Sequence, residues 1–331
     1  MTNITIYKVE SYNKAYSKIF SGVYNDFKQK AISEYNFELE PLAYEDFIQS
    51  VEKGILECLI LFEDDIPTGF LAYTTLISES LELNIIHCIG SENLNHKRKL
   101  LLEKFLEVNK HLTREKIVTY PMLGKQSAFT SDIEEFGFKH VNTSVMVFNL
   151  SDISAINKCK NAEIPELPRD YTITNWKTMY FKDAVSVINQ AFKDSSDALF
   201  DNRFTTNKGC KDILEKITGD IYGKFLPSIT KVLLYKKHPV GFCFANLTND
   251  KIANIPLVAI LKKHRNYKFG KRLTKELVEN IITSAITQGW NLKEVNASCD
   301  SDNMASVNMY TSVGFSEKYS YPQAYLNKTN Y

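Results

Sequence analysis

The chain has 331 residues, 44% hydrophobic and 12% aromatic, which is enough to bury two ordinary cores and more than one compact domain usually needs. Its 40 basic and 39 acidic residues leave a formal net charge of +1, so no global field recruits nucleic acid or an anionic membrane, and any anion site has to be local. Six scattered cysteines (Cys58, Cys88, Cys159, Cys210, Cys243, Cys299) lack zinc-ligand or redox spacing, the start "MTNITIYKVE" lacks an apolar signal core, and the longest apolar run, "ILECLILF", is interrupted by Glu57. These features predict a soluble cytoplasmic protein with reduced thiols, no metal site and no membrane span.

In chain order, "ITIYKVE" and "NKAYSKIFSGVYNDF" read as a strand and then a helix. "CLILFEDDIPTGFLAY" (58–73) reads as a hairpin, a β-branched and aromatic strand followed by a polar turn with Pro and a second strand opened by Gly-Phe. "IEEFGFKHV" (133–141) carries a helix end, a Gly suited to the left-handed cap, and an apolar Phe. Around "NKCKNAEIPELPRD" (157–170), two Pro, several charges and no periodicity indicate a linker.

The pattern then repeats. "YTITNWK" and "YFKDAVSVINQAF" are again strand and helix, "VLLYKKHPVGFCFA" (232–245) is again a hairpin with Gly-Phe, and "MYTSVGFSEKY" (309–319) again ends a helix on Gly-Phe. Gly69 and Gly241 differ by 172 positions, and Gly137 and Gly314 by 177. Three landmarks in one order at nearly constant offset predict duplication of one α/β unit. The expected boundaries are a first domain over 1–150, a linker over 151–170 and a second domain over 171–331.

Within the second copy, "IANIPLVAIL" (252–261) reads as a strand buried on both faces. It leads through "KKHRNYKFGKR" into a helix with Leu273, Leu277, Ile281 and Ala285 on one stripe and Gly289 as its stop. The first turn of a helix carries unpaired N–H groups and a partial positive charge, so it can hold a diphosphate, and Gly270 would let that backbone approach closely. A basic turn with one Gly is equally a solvated helix start. Further on, "CDSDNMASVNMYTSVGF" (299–315) sets Asn303 as a helix cap, Tyr310 on a short helix, and Gly314-Phe315 as the exit.

Together these two segments resemble the GNAT superfamily of acyl-CoA N-acyltransferases. In that family Arg-x-x-Gly-x-Gly follows the fourth strand, and Asn-x-x-Ala-x-x-x-Tyr-x-x-x-Gly-Phe follows the fifth. Here Arg265, Lys268 and Gly270 represent the first motif, with Lys268 in the place of the first Gly. Asn303, Tyr310, Gly314 and Phe315 represent the second. The resemblance covers roughly residues 170–326 and extends to the first half through the repeat. It implies an α/β (α+β) fold of two tandem GNAT-like domains, each a mixed, mostly antiparallel sheet flanked by helices. It also implies acetyl-CoA as donor, held by Ile260, Arg265, Asn266, Tyr267, Lys268, Phe269, Gly270, Lys271 and Asn303.

At an offset of 172, Arg265 and Gly270 fall on Asn93 and Arg98 in "SENLNHKRKLLLEKF", with no glycine in that turn; in the late helix the place of Tyr310 is taken by Ile133 or Asp132, depending on where a gap is placed. The first half is thus expected to keep the fold without the donor site, an arrangement similar to the tandem GNAT proteins of the mycothiol synthase type.

The chemistry so implied is direct attack of an amine, on a small molecule or peptide, on the acetyl-CoA thioester. Tyr310 would protonate the departing thiolate, against the plainer reading of a half-buried packing Tyr. A backbone N–H near Ile260 would stabilise the oxyanion. No carboxylate occurs in "KIANIPLVAILKKHR", so the base would be water, Asp300 or a residue on another loop. His264 reads as solvated or phosphate-adjacent, and Cys299 as a small core thiol rather than an acyl carrier. Asp194, Asp197 and Asp201 could attract a cationic amine, although scattered carboxylates are more often a solvated loop. Two alternatives are a non-catalytic CoA- or partner-binding module, which Lys268 favours, and a tRNA-dependent aminoacyl ligase, which the near-neutral charge disfavours.

Overall fold

β-Branched and aromatic runs set the strands, and in both halves of the chain the second strand of a hairpin carries its glycine, Gly69 or Gly241, as the fourth residue and does not open on it. The computed structural model describes residues 5–35, 40–77, 80–90, 92–121, 129–248 and 251–328; Ile4 and Ser91 of the first-copy stretches compared above lie outside them. The elements of the first half are β1 (Tyr7–Ser11), α1 (Ser17–Ser33), α2 (Tyr44–Glu52), β2 (Glu57–Glu63), β3 (Ile66–Thr74), β4 (Ser80–Cys88), α3 (Leu94–Val108), β5 (Ile117–Pro121), α4 (Thr130–Glu134) and β6 (Lys139–Asn149). Then follow α5 (Ile153–Lys160), β7 (Tyr171–Asn175), α6 (Phe181–Phe192), α7 (Asp197–Phe200), α8 (Asn207–Thr218), β8 (Lys224–Phe225), β9 (Lys231–Tyr235) and β10 (His238–Cys243). The chain ends with β11 (Asn246–Thr248), β12 (Ile252–Ile255), β13 (Val258–Ile260), α9 (Phe269–Gln288), β14 (Glu294–Asp300), α10 (Met304–Thr311) and β15 (Ser316–Leu326).

The chain forms two compact units, Met1–Val141 with Tyr321–Tyr331, and Asn142–Ser320. In the first, β1 to β5 follow one another across a sheet, antiparallel except for the β4–β5 pair, and the last residues of β15 run antiparallel to β5. In the second, β7, β9, β10 and β13 form one antiparallel sheet. Strands β8, β11, β12 and β14 form another, parallel between β12 and β14, and the Thr143–Asn149 portion of β6 runs antiparallel to β14. Each unit is therefore completed by a strand from the other half of the sequence.

The duplication is visible in register. Gly69 faces Leu61 on one side and Cys88 on the other, and Gly241 faces Leu233 and Ile260. All three relations share the offset of 172. A Cβ at Gly69 would lie 2.8 Å from the Cys88 sulfur, and one at Gly241 3.0 Å from Ile260 Cγ1. The glycine is required because the neighbouring strand passes close, and the Phe that follows it, Phe70 or Phe242, is fully buried. Gly137 and Gly314 both adopt positive φ, +81° and +102°, as expected of residues that close a helix in the left-handed region. Leu273, Leu277 and Ile281 are fully buried under α9, each removing apolar surface worth roughly 1.5–3 kcal/mol, and Gly289 caps that helix at φ +67°.

One expectation is corrected. The stretch 252–261 is not a single strand: it breaks between β12 and β13 at Pro256 and Leu257. Pro256 has no N–H for a ladder, so the register slips there. All six cysteines are free thiols. Among the described residues no helix is long and apolar enough to cross a membrane, and no group of His, Cys, Asp or Glu is arranged to hold a metal ion.

Candidate active site

The break at Pro256 opens a wedge in the second unit. Strand β12 pairs with β14 from Ile252 opposite Glu294 to Ile255 opposite Ala297, whereas β13 pairs only with β10. Along β13 the odd positions bond towards β10: Leu261 N–H donates to Val240 O at 3.0 Å, and Leu257 O accepts from Phe244 N–H at 3.0 Å. Because strand amides alternate in direction, the N–H groups of Val258 and Ile260 point the other way, into the space that β14 has left.

At the end of this strand the chain makes a tight turn and starts α9. Asn266 and Lys268 sit at φ +72° and +56°. Lys268 therefore holds the left-handed backbone that glycine adopts most easily, at a cost of about 1 kcal/mol for a side chain there. No side chain caps α9, so the N–H groups of Phe269, Gly270 and Lys271 have no acceptor within the helix. Arg265 fixes the turn from outside, with Nε donating to Ile260 O at 3.0 Å and Nη2 to Ala191 O at 3.0 Å. Tyr267 and Lys268 are exposed and Phe269 is buried. The missing Cβ of Gly270 would point at Met309 Sδ, 2.7 Å away, so this glycine lets α9 close onto α10.

The same geometry corrects the alignment of the two copies at this turn. Asn93, at φ +54°, immediately precedes α3 as Lys268 precedes α9, an offset of 175. The first-copy counterpart of Gly270 is thus Asn95, not Arg98.

Across the wedge, Asn303 Oδ1 accepts from Ser306 N–H at 3.2 Å and starts α10, which carries Tyr310 inward. Tyr310 is 4% exposed and packs against Phe315. Burial raises its phenol well above the ordinary value, and Cys243, Cys299 and Asp197 lie near enough to add to that rise. No hydrogen bond to a described residue holds its hydroxyl. Cys299 is half-buried, its thiol pushed up to about 11 by burial and by Asp300, Asp197 and Glu317, so it stays protonated at neutral pH and is no nucleophile. Asp300 Oδ1 accepts from Asp302 N–H at 2.9 Å in a local turn.

His264 is not solvated as expected: it is buried, with Nδ1 2.7 Å from the Tyr171 hydroxyl and its ring against Tyr235. Burial lowers its pKa, and Lys263 adds to the effect, which leaves it neutral. Sequence reasoning did not single out Asp197 from Asp194 and Asp201. Their local patterns are alike; in the fold Asp194 is exposed, Asp201 pairs with Arg203 and Asp197 is half-buried.

Residues 207–315 match the acetyltransferase (GNAT) family model. None of the curated protein sequences matches the chain. In structure it is similar to a GCN5-related N-acetyltransferase from Sphaerobacter thermophilus, with 15% identity, 97% of this chain and 95% of that one covered, and a TM-score of 0.62. It is also similar to a tandem GNAT protein from the clavulanic acid biosynthesis pathway, at 10% identity, 98% and 100% coverage and a TM-score of 0.58. A third likeness, at 10% identity and a TM-score of 0.60, is to a glucosamine N-acetyltransferase region of a fungal multi-domain β-N-acetylglucosaminidase, with 98% of this chain and 38% of that chain covered.

Proposed function

We propose that the second unit, whose residues 207–315 match the GNAT family model, transfers an acetyl group from acetyl-CoA to an amine, with both substrates bound together. The observation that carries this reading is the junction of two features in one wedge. An uncapped start of α9 offers three free N–H groups on a left-handed turn, and the largely buried Tyr310 makes no hydrogen bond through its hydroxyl to a described residue.

The residues fit a diphosphate at the helix start: the N–H groups of Phe269, Gly270 and Lys271 would donate to its oxygens, with Lys268 and Lys271 adding charge. Lys268 adopts the left-handed backbone that glycine takes most easily, which is compatible with a working turn. In the wedge the outward N–H groups of Val258 and Ile260 would meet the thioester oxygen, where charge grows as the amine attacks. Tyr310, kept protonated by burial, would give its proton to sulfur as the C–S bond breaks. Cys299, kept a neutral thiol, supports direct transfer rather than an acyl-enzyme.

The test is release of free thiol from acetyl-CoA on addition of primary amines from a panel of amino sugars, amino acids, polyamines and peptides. At least one amine should raise thiol release well above the rate with water and yield its N-acetyl product by mass. Acetyl-CoA binding without turnover across the panel would favour the non-catalytic alternative.

A further inference from the structure

In sequence Arg265 stands with the diphosphate turn, yet in the structure its guanidinium is engaged elsewhere. Nη2 donates to Ala191 O, 74 residues earlier in the chain, and Nε donates to Ile260 O, each at 3.0 Å. Ala191 lies in the last turn of α6, where carbonyls carry partial negative charge and lack donors within the helix. Its neighbour Phe192 O is satisfied locally, by the Ser195 N–H at 2.8 Å and the Ser195 hydroxyl at 2.7 Å. Ala191 O is satisfied from a distance, by a cation on the donor turn.

The capped carbonyl belongs to a block whose parts hold one another. Asn189 Nδ2 donates to Phe204 O at 3.0 Å, the Phe192 and Phe204 rings stack at 4.7 Å, and Arg203 joins Asp201 to Asp212 on α8. A Cβ at Gly209 would lie 2.3 Å from Arg203 O, so α8 closes directly on that segment. The block also borders the wedge, because α6 packs on β10 and β13. The N–H and C=O of one strand residue point to the same side, so the Ile260 O that Arg265 holds faces the wedge with the Ile260 N–H. An amine attacking a thioester whose oxygen meets that N–H arrives next to whatever borders Ile260.

We infer that Arg265 is a positioning residue: a latch that fixes the α6–α8 block beside the acetyl site and leaves the diphosphate to the backbone and lysines of the turn. This rests on the transferase reading above. A donor that orders the turn then steadies the block through Arg265, and the coupling is reciprocal. The planar fork matters, since Nε and Nη2 reach two carbonyls at once, which a lysine ammonium on its flexible stem does not reproduce.

The experiment compares wild type with Arg265→Ala, Arg265→Lys and Lys263→Ala by hydrogen exchange, calorimetry and kinetics. Arg265 is exposed, so its loss leaves the cores intact. In ligand-free Arg265→Ala the amides of Lys193 and Ser195 should exchange about tenfold faster, as expected for loss of a hydrogen bond from a charged donor, with Leu277 and Ile281 in α9 unchanged. Acetyl-CoA should slow exchange at Lys193 and Ser195 in wild type and not in Arg265→Ala. Its affinity should change by less than about twofold, whereas KM for the amine that releases thiol should rise about tenfold with kcat nearly unchanged. Arg265→Lys should recover part of the loss, and Lys263→Ala, which removes a charge from the same turn, should match wild type.

Acetyl-CoA affinity about tenfold weaker in Arg265→Ala, with amine KM and α6 exchange unchanged, overturns the latch and gives Arg265 to the diphosphate, the transferase standing. Faster exchange with unchanged amine KM reduces Arg265 to a helix cap and overturns the positioning role. Absence of acetyl-CoA binding to wild type instead brings down the transferase reading. The ligand-free exchange then decides the latch alone: faster exchange at Lys193 and Ser195 in Arg265→Ala supports it, and unchanged exchange overturns it.

Discussion

The two units share a fold and differ in how their wedges spend polar groups. In the first, β4 and β5 pair only from Ser80 opposite Ile117 to Glu82 opposite Thr119 and then diverge, as β12 and β14 do in the second. There, however, the groups beyond the divergence hold one another. His87 Nε2 lies 2.8 Å from Asp26, and its Nδ1 is 3.3 Å from the Tyr35 hydroxyl. Burial brings the His87 imidazole down to about 4, so it is neutral. Arg98, whose charge reaches Tyr35, Cys88 and Tyr120, lies 4.8 Å over the Phe129 ring and 4.0 Å from Asp132 Oδ2, close enough for an ion pair but not for a hydrogen bond, which leaves that buried oxygen without a hydrogen-bond partner among the described residues. In the second unit the Tyr310 hydroxyl forms no hydrogen bond to a described residue, and Asp197 accepts one from the Ser195 hydroxyl and forms no ion pair among the described residues. On the proposed reading, the inherited wedge of the second unit serves as a site because polar groups are left for a ligand, whereas groups that satisfy each other make a core.

The comparison breaks first at the paired glycines. Gly314→Ala should cost about 3 kcal/mol of stability, because a Cβ would lie 2.6 Å from Ala155 O and 2.8 Å from the Phe148 ring at φ +102°. Gly137→Ala meets only Leu326 Cδ1 at 3.5 Å and should cost about 1 kcal/mol, the left-handed backbone alone. Denaturant melts of the two variants check this, and equal losses would mean that the two helix exits are packed alike. Next in size is Tyr310→Phe. It keeps the ring against Phe315 and should lower kcat about a hundredfold, or ~2.7 kcal/mol, with acetyl-CoA KM nearly unchanged. A wild-type rate, with chemistry shown to be limiting, would reduce Tyr310 to packing and make the second wedge as inert as the first.

Much of this was legible in the sequence because it is local. The Gly-Phe landmarks announced the hairpins and helix exits, since a close strand or a positive φ admits little else. Asn303 and Gly289 announced the ends of α10 and α9. What was not legible depends on distance. No local pattern says that the later part of β6 lies beside β14 or that the end of β15 lies beside β5. The apolar run 252–261 concealed its break because Pro256 was weighed as one residue of a strand rather than as a missing donor. A constant offset of 172 misplaced the helix turn by three residues, as spacing cannot reveal that Asn93 and Lys268 share a left-handed backbone. His264 differs from its expected surroundings because residues far away in the chain, Tyr171 and Tyr235, pack against it.

The central claim is that one of the two wedges, the second, holds the donor. Calorimetric titration of acetyl-CoA into wild type, Lys268→Asp and Asn93→Asp tests it most directly. Aspartate tolerates the left-handed backbone at both positions and can accept the free helix N–H groups, so each variant keeps its helix while opposing a diphosphate. The account predicts one site per chain, an affinity at least about tenfold weaker in Lys268→Asp, and no change in Asn93→Asp. Two sites per chain, or equal losses from the two substitutions, would contradict it.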